Sequence, residues 1–246
     1  MKETLITKSI NMKKVMKAVA AIMLMTVVVC AVGCKKEENV DGDSSINGHT
    51  YVDLGLPSGT LWAACNVGAT TPEGYGDYFA WGETKPKDTY NWISYKYCNG
   101  DYVELTKYCS NSIYGFNDFT DNLTVLEPSD DVANVKWGGG WCMPTRDEWV
   151  ELSQNTTCTW TTRNGVNGRL FTAGNGNSLF LPAAGERWDD EFAWTGSAGN
   201  YWSSSLFTDY PYYVWLLIFD SDYSRVNGYG YDRYYGFSVR PVHSAK

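Results

Sequence analysis

The chain has 246 residues, with 20 Lys plus Arg against 28 Asp plus Glu and a formal net charge of −8. That surplus of acid repels phosphate backbones, so no nucleic acid is expected as a partner. Two histidines, His49 and His243, and no Cys-x-x-Cys pair leave zinc without a ligand set.

In chain order, Lys13, Lys14 and Lys17 precede an apolar run from Ala18 to Gly33, too short to span a bilayer as a stable helix. Residues 1–33 therefore read as a signal peptide, with Met12 a more natural start than Met1. Ala31-Val32-Gly33-Cys34 resembles the lipobox of bacterial lipoproteins, with Ala31 where leucine is usual. The resemblance implies lipidation of Cys34, a membrane attachment through that lipid, and an outer-membrane, cell-surface location. The alternative is a plain secretory signal with an incidental cysteine. Without residues 1–33 the chain loses five lysines and one glutamate, leaving 15 basic against 27 acidic residues, a charge of −12. Residues 34–47, polar and without apolar period, are expected to be a lipidated cysteine and flexible tether. Residues 48–246 are expected to fold as one domain.

Within that domain, short apolar runs separated by glycine and other turn residues predict an α+β fold with many short strands and about two short helices. Strands are expected near 50–54, 60–66, 77–81, 169–172, 178–182, 200–205, 213–219 and 235–242. The strongest helix signal is MPTRDEWVEL, where Thr145 and Glu148 make a capping box and Trp149 and Leu152 share a face. A second, shorter helix is expected after Ser129, with Asp130 and Asp131 at its positive end. Five cysteines lie in the domain, and the spacing of Cys98 and Cys109 around a short Gly- and Tyr-containing segment predicts a disulfide between them. Cys65 is expected to remain a free thiol.

Six segments, YVDLGLPSGTLWAACNVGA (51–69), YGDYFAWGETKPK (75–87), GGGWCMPTRDEWVEL (138–152), SLFLPAAGER (178–187), YWSSS (201–205) and GFSVRPV (236–242), resemble, in order, the Fibrobacter succinogenes major paralogous domain of Bacteroidetes lipoproteins. The resemblance covers essentially the whole domain. It implies a C-type-lectin-like fold, in the branch that includes formylglycine-generating enzymes and the variable proteins of diversity-generating retroelements. Formylglycine-generating relatives use a cysteine pair near the chain end, where this sequence has none, so that activity is not expected.

The two histidines, His49 and His243, sit at the domain's two ends, so Ser-His-Asp and Cys-His catalysis lack their usual base in its interior. Paired carboxylates in RWDDEF (187–192) and PSDD (128–131) leave a carbohydrate-active enzyme as an alternative. Asp189, Asp190 and Glu191 are the candidates for calcium, the one cofactor left open. The expectation is no catalysis.

Nine of the eighteen tyrosines fall between Tyr201 and Tyr235. From Leu206 to Tyr235 there is no Lys, Glu, Gln, Met or His, an alphabet that resembles adenine-directed retroelement diversification, although Trp215 lies outside it. Alternation along 213–219 puts Tyr213, Trp215, Leu217 and Phe219 on one, core face, with Tyr210, Tyr212, Leu216, Ile218 and Asp220 on the other. With Asp222, Tyr223, Asn227, Tyr229, Tyr231, Asp232, Tyr234 and Tyr235 as an adaptable rim, this composition resembles a paratope. A ligand-binding surface for a glycan or a protein, of adhesin or receptor type, is expected. The alternatives are a structural or filament-tip subunit, and tyrosines that simply cover sheet faces.

Overall fold

In a computed structural model, residues 44–227 and 231–244 are described. The expected signal peptide, Cys34, the tether up to residue 43 and Tyr229 lie outside them. The described chain is α+β, dominated by short strands, with two α-helices.

The first strand pair begins inside the expected tether. Ser45–Ile46 (β1) folds back on His49–Asp53 (β2) through Asn47 and Gly48, whose φ values of 51° and 82° make the two-residue turn that Asn-Gly favours. Leu61–Ala63 (β3) follows. After a long stretch of loops comes the shorter helix, Val132–Trp137 (α1), capped by the Asp131 side chain on the Ala133 and Asn134 N–H groups. Trp141–Cys142 (β4) leads to Arg146–Asn155 (α2), where Thr145 and Glu148 form the expected reciprocal cap and Trp149 and Leu152 are buried.

Thr156–Arg163 (β5) and Val166–Ala173 (β6) form a hairpin over a second Asn-Gly pair, Asn164 and Gly165, and Ser178–Pro182 (β7) completes this three-stranded sheet. Glu186–Trp188 (β8) and Glu191–Ala193 (β9) make a small hairpin. Gly199–Leu206 (β10), Val214–Phe219 (β11) and Ser224–Asn227 (β12) form another antiparallel sheet with β11 in the middle. The closing strand, Val242–His243 (β13), enters the first sheet between β3 and β4, in the order β1-β2-β3-β13-β4. The expected strand at 77–81 makes only isolated bridges, and of the one expected at 235–242 only Val242 joins a strand; the bridges include Phe79 with Phe237 and Tyr201 with Ser238.

The β10–β11 layer separates two apolar cores. Tyr201, Leu217 and Phe219 face one, with Trp62, Trp149 and Phe171; Trp202, Val214, Leu216 and Ile218 face the other, with Trp81, Tyr108 and Phe237. The even-numbered face of β11 is therefore core, which corrects the alternation reading: Leu216 and Ile218 are buried and Trp215 is only half-buried, beneath the Arg146 guanidinium 4.5 Å from its ring. A strand covered on both faces shows no usable alternation.

The domain's polar staple is Arg240, which is fully buried. Its Nε donates to Asn66 Oδ1 at 2.8 Å, Nη1 to the carbonyls of Ala63 and Ala64 at 3.0 and 2.6 Å, and Nη2 to Phe180 O at 3.1 Å. Losing it orphans three buried acceptors and one part-buried one. Arg240→Ala is expected to lower stability by at least ~3 kcal/mol in urea unfolding, and Arg240→Lys to recover less than half, because a single ammonium cannot span the fork. A loss under ~1 kcal/mol for the alanine variant would contradict this role.

Candidate functional site

A cleft of about 470 Å³ opens where the β8 start, the loop after β9 and the β10–β11 sheet converge. The backbone brings these pieces together through Gly185. At its φ of 68° a Cβ would sit 2.2 Å from Ala193 O, so only glycine lets the chain pass that closely. Gly185 N–H donates to Ala198 O at 2.8 Å and pairs as a parallel bridge with Gly199. The residues that follow these two glycines, Glu186 and Asn200, consequently stand side by side.

Asn200 Nδ2 donates to Glu186 Oε2 at 3.0 Å. Asn200 is 1% exposed, and its Oδ1 has no partner although it is buried. Glu186 is 9% exposed, and burial pushes its carboxyl up to about 7. No guanidinium offsets that burial: the neighbouring Arg187 turns away to the carbonyls of Asp88 and Asp190 at 2.8 and 3.2 Å.

The walls are aromatic. Trp194 is 66% exposed and holds a left-handed φ of 59°, a conformation uncommon for a bulky residue. Its carbonyl accepts from Ser197 N, Ala198 N and Ser197 Oγ at 3.0, 3.0 and 2.9 Å, which locks the backbone that presents the indole. Opposite lies the Asp220–Tyr223 turn, closed by Asp220 Oδ1 accepting from Asp222 N and Tyr223 N at 2.7 and 3.0 Å. Tyr223 is 39% exposed, with the Arg225 guanidinium 5.1 Å from its ring. Tyr231 lines the cleft while packing on Tyr235 and Phe237, and burial, with Glu186 next in effect, pushes its phenol up to about 12.

The structure thus collects Ile218, Asp220, Tyr223 and Tyr231 from the expected binding set, with Ile218 as buried floor rather than exposed patch. Tyr210 and Tyr212 join a different aromatic group with Tyr102 and Tyr114, at ring separations of 5.0 to 6.5 Å. Tyr234 is buried, stacked on Tyr235 at 4.7 Å, and Asp232 is half-buried, with its carboxyl pushed up to about 6 by that burial. Asp222 is exposed in the 220–223 turn, and Asn227 ends β12.

Three further residues, Glu186, Trp194 and Asn200, were not singled out by sequence. Trp194 carried a readable signal: a large aromatic directly before the small, polar stretch TGSAGN.

The cysteine expectation is corrected. Cys98 and Cys109 are free: the Cys98 thiol meets Trp92 O at 3.1 Å and the Cys109 thiol Asn111 O at 3.1 Å. Cys98 bridges Leu105 and Leu105 bridges Gly115, so the intervening segment is closed by backbone pairing instead of sulfur.

The calcium candidates sit in the β8–β9 turn. Asp189 has a φ of 49°, exchanges backbone hydrogen bonds with Tyr90 and accepts from Asn91 Nδ2 at 2.8 Å, and Arg187 lies against Asp190 O. Among the described residues no three His, Cys, Asp or Glu side chains converge. A second cavity, about 430 Å³, contains Cys142, Asp131 and Glu148, but burial and the two carboxylates push the Cys142 thiol up to about 12. That sulfur is a poor nucleophile. His49 and His243 both pack on Trp141, and His49 also stacks on Trp137 at 3.7 Å.

No protein-family model, curated protein or solved structure matches the chain.

Glu186 makes a signed prediction. A carboxyl raised from 4.5 to about 7 favours folding while it is neutral, so its stabilising share is full below pH 4.5 and is lost as pH rises through about 7. Glu186→Gln is expected to flatten the fall in thermal stability between pH 5 and 8, leaving a smaller slope from Asp131 and Asp232, which burial also raises to about 6. An unchanged slope would show that Glu186 ionises normally.

Proposed function

We propose that this chain is a lipid-anchored protein of the cell envelope that holds a ligand without transforming it, as an adhesin or receptor module of C-type-lectin-like type. The observation that carries the reading is the cleft: a buried acid–amide pair beneath two exposed aromatic rings, Trp194 and Tyr223, on rigid backbone. Large aromatics with few torsions give contact area at low entropic cost, and polar groups below them fix orientation. A surface glycan or a protein is the partner class, and the acidic chain disfavours nucleic acid.

Several groups that catalysis would draw on are engaged in the fold. Asp220 closes its own turn, the Cys142 thiol is held protonated, and the histidines stack on tryptophans. These engagements support binding over a carbohydrate-active enzyme. Among the described residues no helix is long and apolar enough to cross a membrane. Attachment therefore rests on the lipobox resemblance at Cys34, and the segment's restricted alphabet is what supports retroelement diversification.

The test is capture by the full chain in detergent on a glycan array and on immobilised surface proteins, beside the double variant Trp194→Ala, Tyr223→Ala. The expected result is a ligand whose signal drops at least tenfold in a double variant that still melts cooperatively. A signal of equal strength in both proteins would place binding elsewhere, and no signal from either would end the reading.

A further inference from the structure

Resting on that reading, we infer that the cleft takes one uncharged, hydroxyl-rich ring of the size of a pyranose, stacked on Trp194 and hydrogen-bonded by Glu186 and Asn200. Three independent observations converge on it. The first is the conformation of Trp194. A left-handed φ in a bulky residue costs on the order of 1 kcal/mol, and such strain persists where surroundings impose it. Here three donors to one carbonyl impose it, and the result is an indole projecting at the cleft rim. A flat, exposed aromatic face suits the apolar C–H face of a sugar ring.

The second is Asn200 Oδ1. A buried amide oxygen without a donor is costly, and a ligand hydroxyl at the cleft floor would supply one. The third is the charge of the lining. Among the described residues no lysine or arginine lines the cleft, which disfavours an anion. The titratable groups around Glu186 are Asp220 from the end of β11 and the phenols of Tyr223 and Tyr231, with Tyr235 packed on Tyr231; Arg187 on its own strand is turned outward, and the Arg225 guanidinium on β12, across from Ile218, lies 5.1 Å from the Tyr223 ring. Buried without a cation, Glu186 is a neutral carboxyl at mildly acid pH, able to donate as well as accept. A volume of about 470 Å³ fits one such ring with its bridging waters.

The experiment is saturation-transfer NMR on the full chain with methyl glycosides of glucose, galactose and mannose, methyl N-acetylglucosaminide, glucuronate and glucosamine, from pH 5.5 to 8.5. At least one neutral glycoside is expected to receive saturation, with affinity falling on the order of 30-fold across that range as Glu186 ionises. In Glu186→Gln the ratio of affinities between the two pH values should shrink to under twofold. Trp194→Gly removes the backbone strain, so it should melt no lower than the native chain while losing the signal at least tenfold.

Saturation that survives Trp194→Gly, or none to any neutral glycoside at 10 mM, roughly the weak end of single-ring affinities, would overturn the inference. Preference for glucuronate would do the same, and preferential binding of glucosamine that peaks near neutral pH, where its ammonium and an ionised Glu186 coexist, would assign the cleft to cations. If these arms fail while the double variant still abolishes protein capture, the ligand class is wrong and the binding reading stands.

Discussion

The fold hangs on a buried guanidinium whose partners come from two distant parts of the chain. Arg240 fixes the backbone after β3, the carbonyl of Phe180 on β7, and the side chain of Asn66. Asn66 donates in turn to Tyr201 Oη at 3.3 Å, and Tyr201 donates to Pro182 O at 2.7 Å. That relay holds residues 182 and 201 together, and between them and the cleft lie only a few residues on each side: Pro182 to Glu186, and Tyr201 to Asn200. The position of the acid–amide pair is therefore a consequence of packing deep in the core. A buried polar network of this kind is costly when partly satisfied, which makes it a strong constraint on register.

How much of this was legible depended on the range of each interaction. The Thr145–Glu148 cap was readable because it closes within one turn of helix, and Asp131 because a cap lies next to the helix it serves. The Asn-Gly pairs at 47–48 and 164–165 were equally local, and their hairpins were still passed over: Ser45–Ile46 fell inside the expected tether, and Thr156–Arg163 was not among the expected strands. The latter strand is rich in threonine, a β-former whose hydroxyl hides it from a hydrophobicity count. What no local pattern could reveal was a second apolar cover. The failure at 213–219 comes from the two cores, one on each face of β11, which bury both parities of the strand.

The candidate site was half legible for the same reason. Tyr223 and Tyr231 stood out by composition, and Asp220 by its place at the strand end. Glu186 lies in one of the family-like segments and Asn200 at the start of an expected strand, neither offered as a site, and they meet because two glycines pair. The tyrosine-rich segment is in consequence three things at once. Part lines the cleft, part forms a separate aromatic group with Tyr102 and Tyr114, and part fills the core around Phe237. A variable binding surface could draw on the exposed turns of this segment, but Leu216 and Ile218 are closed to it.

The β1–β2 hairpin has a mechanical side. Tension arriving through the segment that precedes Ser45 acts on a ladder of two residue pairs, Ser45 with Thr50 and Ile46 with His49, and would open it as a zipper, one rung at a time. Behind that weak zipper sits a clasp: the Asn47 amide donates to Trp137 O and the His49 ring lies flat on the Trp137 indole, which itself meets Trp141 edge-on. The load would then pass from a hairpin that yields easily to a knot of aromatic rings that yields late. A domain held at one end and gripped at its cleft would give a little before it resisted, behaving as a short spring in series with a rigid body.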